Sequence, residues 1–217
     1  MSKAVATSPS SQREQAYLGL RRLLILQQLS SGQRLREPEW ADRLGVHRSA
    51  LREAFARLEA EGWIERGPLT GYFVPQLTEQ DLAEIMKLRI ALECVAIDEI
   101  CASAEPLALD EIERACDEFE RLLRDGYALG VIEADRRFHE ILIGMPRLRR
   151  LTDLYRRAPL PMIHHHTQEQ SVWAQECGRT LAEHREIVDA LRKRNADAAK
   201  RLLHRHLGNR PLLPICR

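Results

Sequence analysis

Residues 35–74 read LREPEWADRLGVHRSALREAFARLEAEGWIERGPLTGYFV. Pro38 suits the first turn of a short helix running to Leu44, since a first-turn residue needs no intrahelical N–H bond. Gly45-Val46 then makes a tight turn. A second helix follows from about Arg48 to Glu61, with the apolar stripe Leu51, Ala54, Phe55 and Leu58, and stops at Gly62. A short helix, a glycine turn and a second helix form a helix-turn-helix. Past Gly62 the period changes. Trp63-Ile64-Glu65-Arg66 and Tyr72-Phe73-Val74 are strand-like, and Gly67-Pro68-Leu69-Thr70-Gly71 between them is a turn signal. A helix-turn-helix followed by a hairpin is a winged helix.

Working outward toward the N-terminus, Tyr17, Leu20, Leu24 and Ile25 recur at helical spacing between Gln12 and Leu29, and Gly32 closes that segment. Residues 1–11 are rich in Ser, Ala and Thr with no apolar pattern, and are expected to be a disordered N-terminus. They lack the apolar core of a signal peptide. The winged helix is therefore expected over residues 12–77. Residues 1–77 carry 11 Lys and Arg against 8 Asp and Glu, and the remainder carries 22 against 24. That asymmetry is slight, so the placement of the arginines matters more. Arg48 and Arg52 lie one turn apart at the start of the second helix, with Ser49 beside them. The N-terminal end of a recognition helix is where base edges are reached, and arginine suits guanine edges and phosphates alike. The alternative from spacing alone is that both are solvated and pair with Glu53 or Glu59.

The quoted stretch resembles the winged helix of the GntR family of regulators, and LGVHRSALREAFARLEAEG is the most specific part of the match. The resemblance covers residues 13–77 without a gap. It implies that Arg48, Ser49 and Arg52 contact double-stranded DNA and that the wing around Gly71 enters the minor groove. Pro38 stands where many relatives place a DNA-contacting arginine, and Arg36 is close by. His47 and Ala50 replace the usual Ser or Thr and Thr or Pro. Arg36 and His47 therefore join the expected DNA-binding positions, while the operator sequence stays open. Two-fold regulators read two-fold sites, so a homodimer on a short palindrome is expected.

Pro75-Gln76-Leu77 ends the last strand, and Thr78-Glu79-Gln80-Asp81 reads as a helix cap. The domain boundary is placed there, with residues 78–217 forming the second domain. Helical segments are expected at about 79–102, 106–126, 129–143, 147–157, 180–194 and 196–208. Pro159 and Pro161 interrupt the pattern before the loop run His164-His165-His166. With no repeats and no strand alternation, this is an antiparallel all-α bundle of about six helices. The chain as a whole is mainly α, with a small β-hairpin wing.

Polar residues sit on the apolar stripes of that bundle. Asp135 and His139 share a stripe with Ile132 and Leu142; His184 lies with Leu181, Val188 and Leu191; His206 lies with Ala199, Leu202 and Leu203. Buried polar groups are costly unless paired. The final hairpin turns near Asn195, with His184 11 residues before it and His206 11 after it. At about 1.5 Å per residue both stand roughly 16 Å from the turn, hence at one level. Three imidazoles and a carboxylate at one height suit a divalent transition metal. Zinc is the first choice, with nickel and manganese left open. Taken singly, each histidine could instead be a hydrogen-bonded core residue. The pattern DRRFH, then AEHREIVDAL, then HRHL is similar to the FCD effector domain of the FadR subfamily. That resemblance spans about residues 79–209 and implies Asp135, His139, His184 and His206 as metal ligands. His204 is expected at the surface, and the role of His164, His165 and His166 is left open. Arg89 lies on the stripe Leu82, Ile85, Leu92 and Ala96. Its partner is either Glu93, one turn away, or a small organic acid effector, which the FCD resemblance also implies.

The chain of 217 residues is 44% hydrophobic and 30% charged, composition for real cores and a soluble surface. No run approaches the roughly 20 apolar residues of a membrane span. The five cysteines (Cys94, Cys101, Cys116, Cys177, Cys216) include no C-x-x-C pair and read as free thiols in a reducing cytoplasm. A ligand-responsive transcriptional repressor is the expected function. Two other classes stay in view. Three His and an Asp could activate water in a hydrolase-type enzyme, although no nucleophile or phosphate-binding loop accompanies them. A constitutive DNA-binding protein with a structural metal is the second.

Overall fold

The computed structural model describes residues 9–26, 28–67, 71–103, 108–157 and 170–208, which fall into two compact units meeting at Thr78/Glu79. In the first unit, α1 (Pro9–Ile25) packs with α2 (Glu37–Leu44) and α3 (Arg48–Ala60). Gly45 ends α2 in the left-handed conformation, φ 64°, with its N–H returned to the last turn, so the chain reverses within two residues. Behind α3, Leu20, Leu51, Phe55 and Leu58 are completely buried. Tyr17 of α1 donates to Glu61 at 2.8 Å, and the Arg57 guanidinium lies 3.5 Å from its ring centre. Burial pushes the Tyr17 phenol up to about 12, so it stays a neutral donor.

Helix α1 starts at Pro9, inside the stretch expected to be disordered. Gln12 accepts from the His47 N–H and Gln15 donates to the Leu44 carbonyl, tertiary bonds that no composition argument contains. Residues 1–8 lie outside the described residues. The helix also stops at Ile25, sooner than expected, although Leu29 remains in the core. The wing has three strands in the order β1-β3-β2: β1 (Arg34–Leu35), β2 (Glu65–Arg66) and β3 (Tyr72–Phe73), both pairings antiparallel. Strand β1 is too short to show alternation, so periodicity missed it. Gly71 enters β3 at φ +99°, backbone that favours glycine.

The second unit holds α4 (Glu79–Ala102), α5 (Asp110–Arg124), α6 (Ala128–Gly144), α7 (Arg149–Arg157), α8 (Gln170–Arg192) and α9 (Ala196–Gly208). Ile97, Ile112, Phe119, Phe138, Leu142, Leu191 and Leu203 fill its core. A smaller cluster of Ala96, Ile143, Leu151 and Tyr155 seats α7 on α4 and α6. Helix α8 begins ten residues before the expected start. Gly178 weakens helix propensity there by about 1 kcal/mol, but Trp173, Cys177 and Leu181 repeat at i, i+4, i+8 and are buried. Asn195 caps α9 by accepting the Ala198 N–H at 3.0 Å, which fixes the register of His206 against α8. The loop run His164-His165-His166 and Cys216 fall outside the described residues. No helix among the described residues is long and apolar enough to cross a membrane.

Candidate metal centre and nucleic-acid interface

Helix α6 presents Asp135 and His139, α8 presents His184 and α9 presents His206, all completely or almost completely buried. One ligand atom from each lies within 4.8 Å of the other three. His206 Nε2 stands 3.2 Å from His139 Nε2 and 3.2 Å from His184 Nε2, and His184 Nε2 stands 3.4 Å from Asp135 Oδ1. Phe138 stacks on the His184 ring at 3.8 Å between centroids, interplanar angle 3°, and so sets its plane.

The opposite ring nitrogens explain why the Nε2 atoms can act as ligands. His139 Nδ1–H donates to Glu93 Oε2 at 2.7 Å, and His206 Nδ1–H donates to Glu183 Oε2 at 2.7 Å. With the proton on Nδ1, each Nε2 turns a lone pair inward. Lone pairs 3.2 Å apart repel unless a cation lies between them. Metal–nitrogen bonds of about 2.0–2.1 Å put adjacent ligands about 3–3.4 Å apart. The donor set therefore fits a divalent transition metal. His139 and His206 do have core hydrogen bonds, as the simpler alternative required, but through the nitrogens facing away from the cluster, and the ring of His184 is held instead by its stacking on Phe138. His204 is exposed.

Arg89 is buried in α4. Its Nε donates to Glu93 Oε1 at 2.8 Å, while its Nη2 is buried with no hydrogen-bond partner among the described residues. Tyr155 of α7 donates to the same Oε1 at 3.0 Å. Burial opposes the charge on Arg89, but Tyr155, Glu93 and Asp135 outweigh it and raise the guanidinium above its ordinary value. Burial likewise raises the Glu93 carboxyl, and the Arg89 and Tyr155 donors pull it back. Glu93 had been legible only as the Arg89 partner. Its bond to His139 spans 46 residues, and no local spacing encodes it. The roles of Glu183, Phe138 and Tyr155 were missed for the same reason.

In the first unit, His47, Arg48, Ser49 and Arg52 are all exposed at the start of α3, whose first turn carries no acidic residue. Arg48 makes no ion pair among the described residues. Arg52 pairs with neither Glu53 nor Glu59. Its Nε donates to Glu37 of α2 at 2.7 Å, a bond that leaves both terminal nitrogens for another partner. Glu53 and Glu59 are taken by Arg13 and Arg66. Arg36 is exposed and bonds Glu39 at 3.2 Å. Gly71 lies against Arg34, whose guanidinium sits 5.9 Å from the Phe73 ring centre.

A winged helix on one unit and a helical bundle with a buried cluster of three His and one Asp on the other fit a DNA-binding regulator. Residues 12–74 match the bacterial regulatory proteins of the gntR family, and residues 84–209 match the FCD domain. The chain belongs to the GntR family of transcription regulators, in the group that carries an FCD domain. It is 29% identical over 196 residues to the HTH-type transcriptional regulator YdhC of Bacillus subtilis, covering 90% of this chain and 87% of that protein. It is 24% identical over 208 residues to the HTH-type transcriptional repressor RspR of Escherichia coli, covering 93% and 87%. A GntR transcriptional regulator from Rhodococcus sp. RHA1 has a similar structure, with a TM-score of 0.68 and 26% identity, covering 92% of this chain and 95% of that one. The family is one of regulators, not enzymes, which removes the hydrolase alternative.

Proposed function

We propose that this chain is a cytoplasmic, homodimeric repressor that releases a palindromic operator when a small organic acid binds beside a divalent metal in the helical unit. The observation that carries the reading is the cluster of three inward Nε2 atoms and one carboxylate, with the buried Arg89 Nη2 on the neighbouring helix. Asp135, His139, His184 and His206 would hold the metal. Four protein ligands leave two positions of a six-coordinate ion open. Three imidazoles and one carboxylate would suit nickel and manganese as well as zinc. The metal would supply a Lewis-acid anchor for a carboxylate, and Arg89 a charged donor for the same or a second acidic group.

On the DNA side, Arg48 and Arg52 would read guanines or phosphates in the major groove, with Ser49, His47 and Arg36 beside them and Gly71 in the wing at the minor groove. Glu37 would hold Arg52 by Nε so that its two terminal nitrogens meet guanine O6 and N7 together. The RspR resemblance supports repression. The acid would act by favouring one arrangement of the helical unit, transmitted through Pro75–Leu77, and only its differential affinity for the two arrangements can shift DNA binding. Calorimetry of the metal-loaded protein against sugar acids, hydroxy acids and dicarboxylates tests the reading. An acid that binds wild type and not Arg89→Ala, with metal content equal in both, supports it. Equal binding and response in Arg89→Ala would make Arg89 only the structural partner of Glu93.

A further inference from the structure

Glu93 is completely buried, and both of its oxygens are committed. Oε1 accepts from Arg89 Nε at 2.8 Å and from Tyr155 at 3.0 Å; Oε2 accepts from His139 Nδ1–H at 2.7 Å. One carboxylate on α4 therefore touches the proposed acid-binding arginine, a proposed metal ligand on α6 and the phenol of α7. The other outer carboxylate, Glu183, meets His206 and is partly exposed. We infer that Glu93 is a positioning residue that sets the His139 tautomer and the Arg89 guanidinium together, joining the metal and acid halves of the sensor site. This rests on the metal-and-acid reading above.

The chemistry of the two oxygens carries the inference. Three donors from two directions need two acceptor atoms, and only a carboxylate provides both. An amide provides one acceptor and one N–H2 donor. In Glu93→Gln the amide oxygen can face Arg89 and Tyr155, or it can face His139, but not both. Facing Arg89, it turns N–H2 toward His139 Nδ1. That nitrogen must then accept, the ring proton moves to Nε2, and the metal-facing lone pair is lost. Facing His139, it sets N–H2 against the Arg89 and Tyr155 donors, and the guanidinium loses its anchor. The first orientation costs less, because it keeps an acceptor on the buried Arg89 guanidinium and sacrifices only a bond to a neutral ring.

The test uses the full chain and zinc alone. In the metal-free wild type, histidine 15N shifts should report His139 protonated on Nδ1. In Glu93→Gln they should report the proton on Nε2, with zinc affinity by chelator competition falling about 10–100-fold. Glu183→Gln should weaken zinc while leaving the His139 tautomer unchanged. Should Glu93→Gln alone fail to fold around the unneutralised arginine, Arg89→Met/Glu93→Met removes both charges together with the carboxylate that accepts from His139 Nδ1–H, and the Nδ1 tautomer should again be lost. Wild-type tautomer and wild-type zinc affinity in whichever variant folds would overturn the inference. Should wild type itself take up no zinc, the metal reading fails, yet the tautomer measurement still decides what Glu93 does to His139.

Discussion

Replacing Asp135 by Asn separates the metal from the packing around it. The side chain is completely buried on α6, and its Oδ1 stands 3.4 Å from His184 Nε2. Asn keeps the volume and one carbonyl oxygen but removes the anionic ligand. A metal that binds only the folded state stabilises it by about 2.7 kcal/mol when present at 100 times its dissociation constant. The ligands all belong to the unit of residues 79–213. For a domain of that size each kcal/mol moves the midpoint by about 3–5 °C, so zinc in that excess should raise the melting temperature by about 8–13 °C. The assay is a thermal melt followed by circular dichroism, with and without zinc, after removal of bound metal by chelation. In Asp135→Asn the zinc-induced rise should shrink to a small fraction of the wild-type value, while the metal-free melts of the two proteins stay close. A rise of equal size in the variant would refute the assignment of Asp135 as a ligand. No rise in wild type would refute the site.

Three further outcomes follow from single contacts. Arg52→Ala should weaken specific operator binding by roughly 1–3 kcal/mol in gel-shift titrations, and Arg48→Ala should weaken it as well; unchanged affinity and specificity in both variants would remove α3 as the recognition helix. Gly67→Ala would place a Cβ 2.1 Å from Phe73 Cε2. The ring must swing at a cost of roughly 1–3 kcal/mol, so footprinting should show weakened protection at the edges of the site while zinc uptake by the helical unit is unchanged. Burial pushes the Cys116 thiol up to about 12, so it carries almost no thiolate at pH 8. Mass spectrometry after brief alkylation of native protein should find Cys116 unmodified, and rapid labelling there would show that the core around Phe119 opens.

Much of this architecture is local in the sequence, and that part was legible. The glycine turn at 45, the α3 stripe and the i, i+4 placement of Asp135 and His139 are each written within a dozen residues. The level shared by His184 and His206 also needed only helical rise and one turn at Asn195. What stayed hidden depends on partners far away in sequence. Strand β1 has two residues and exists because β3 pairs with it. Helix α1 extends back to Pro9, and Gln12 and Gln15 there bond the α2–α3 turn. The Arg52 partner proved to be Glu37, on a different helix, not one of the glutamates on its own. Around the ligands, Glu93 and Glu183 were invisible as histidine partners, since an exposed-looking Glu on a helix gives no sign of which ring it will meet across the bundle.

The coupling of the sensor site to DNA is tested most directly by one titration. An operator is first selected in vitro with the metal-loaded protein, and the acid is the one found by calorimetry. Gel-shift curves are then recorded at saturating acid and without it, at constant salt and zinc. Coupling free energies of about 1–3 kcal/mol are typical, so the midpoint should move to higher protein concentration by about 5–150-fold. Superimposable curves, with calorimetry showing the acid bound, would contradict the account and leave a constitutive DNA-binding protein whose metal is structural.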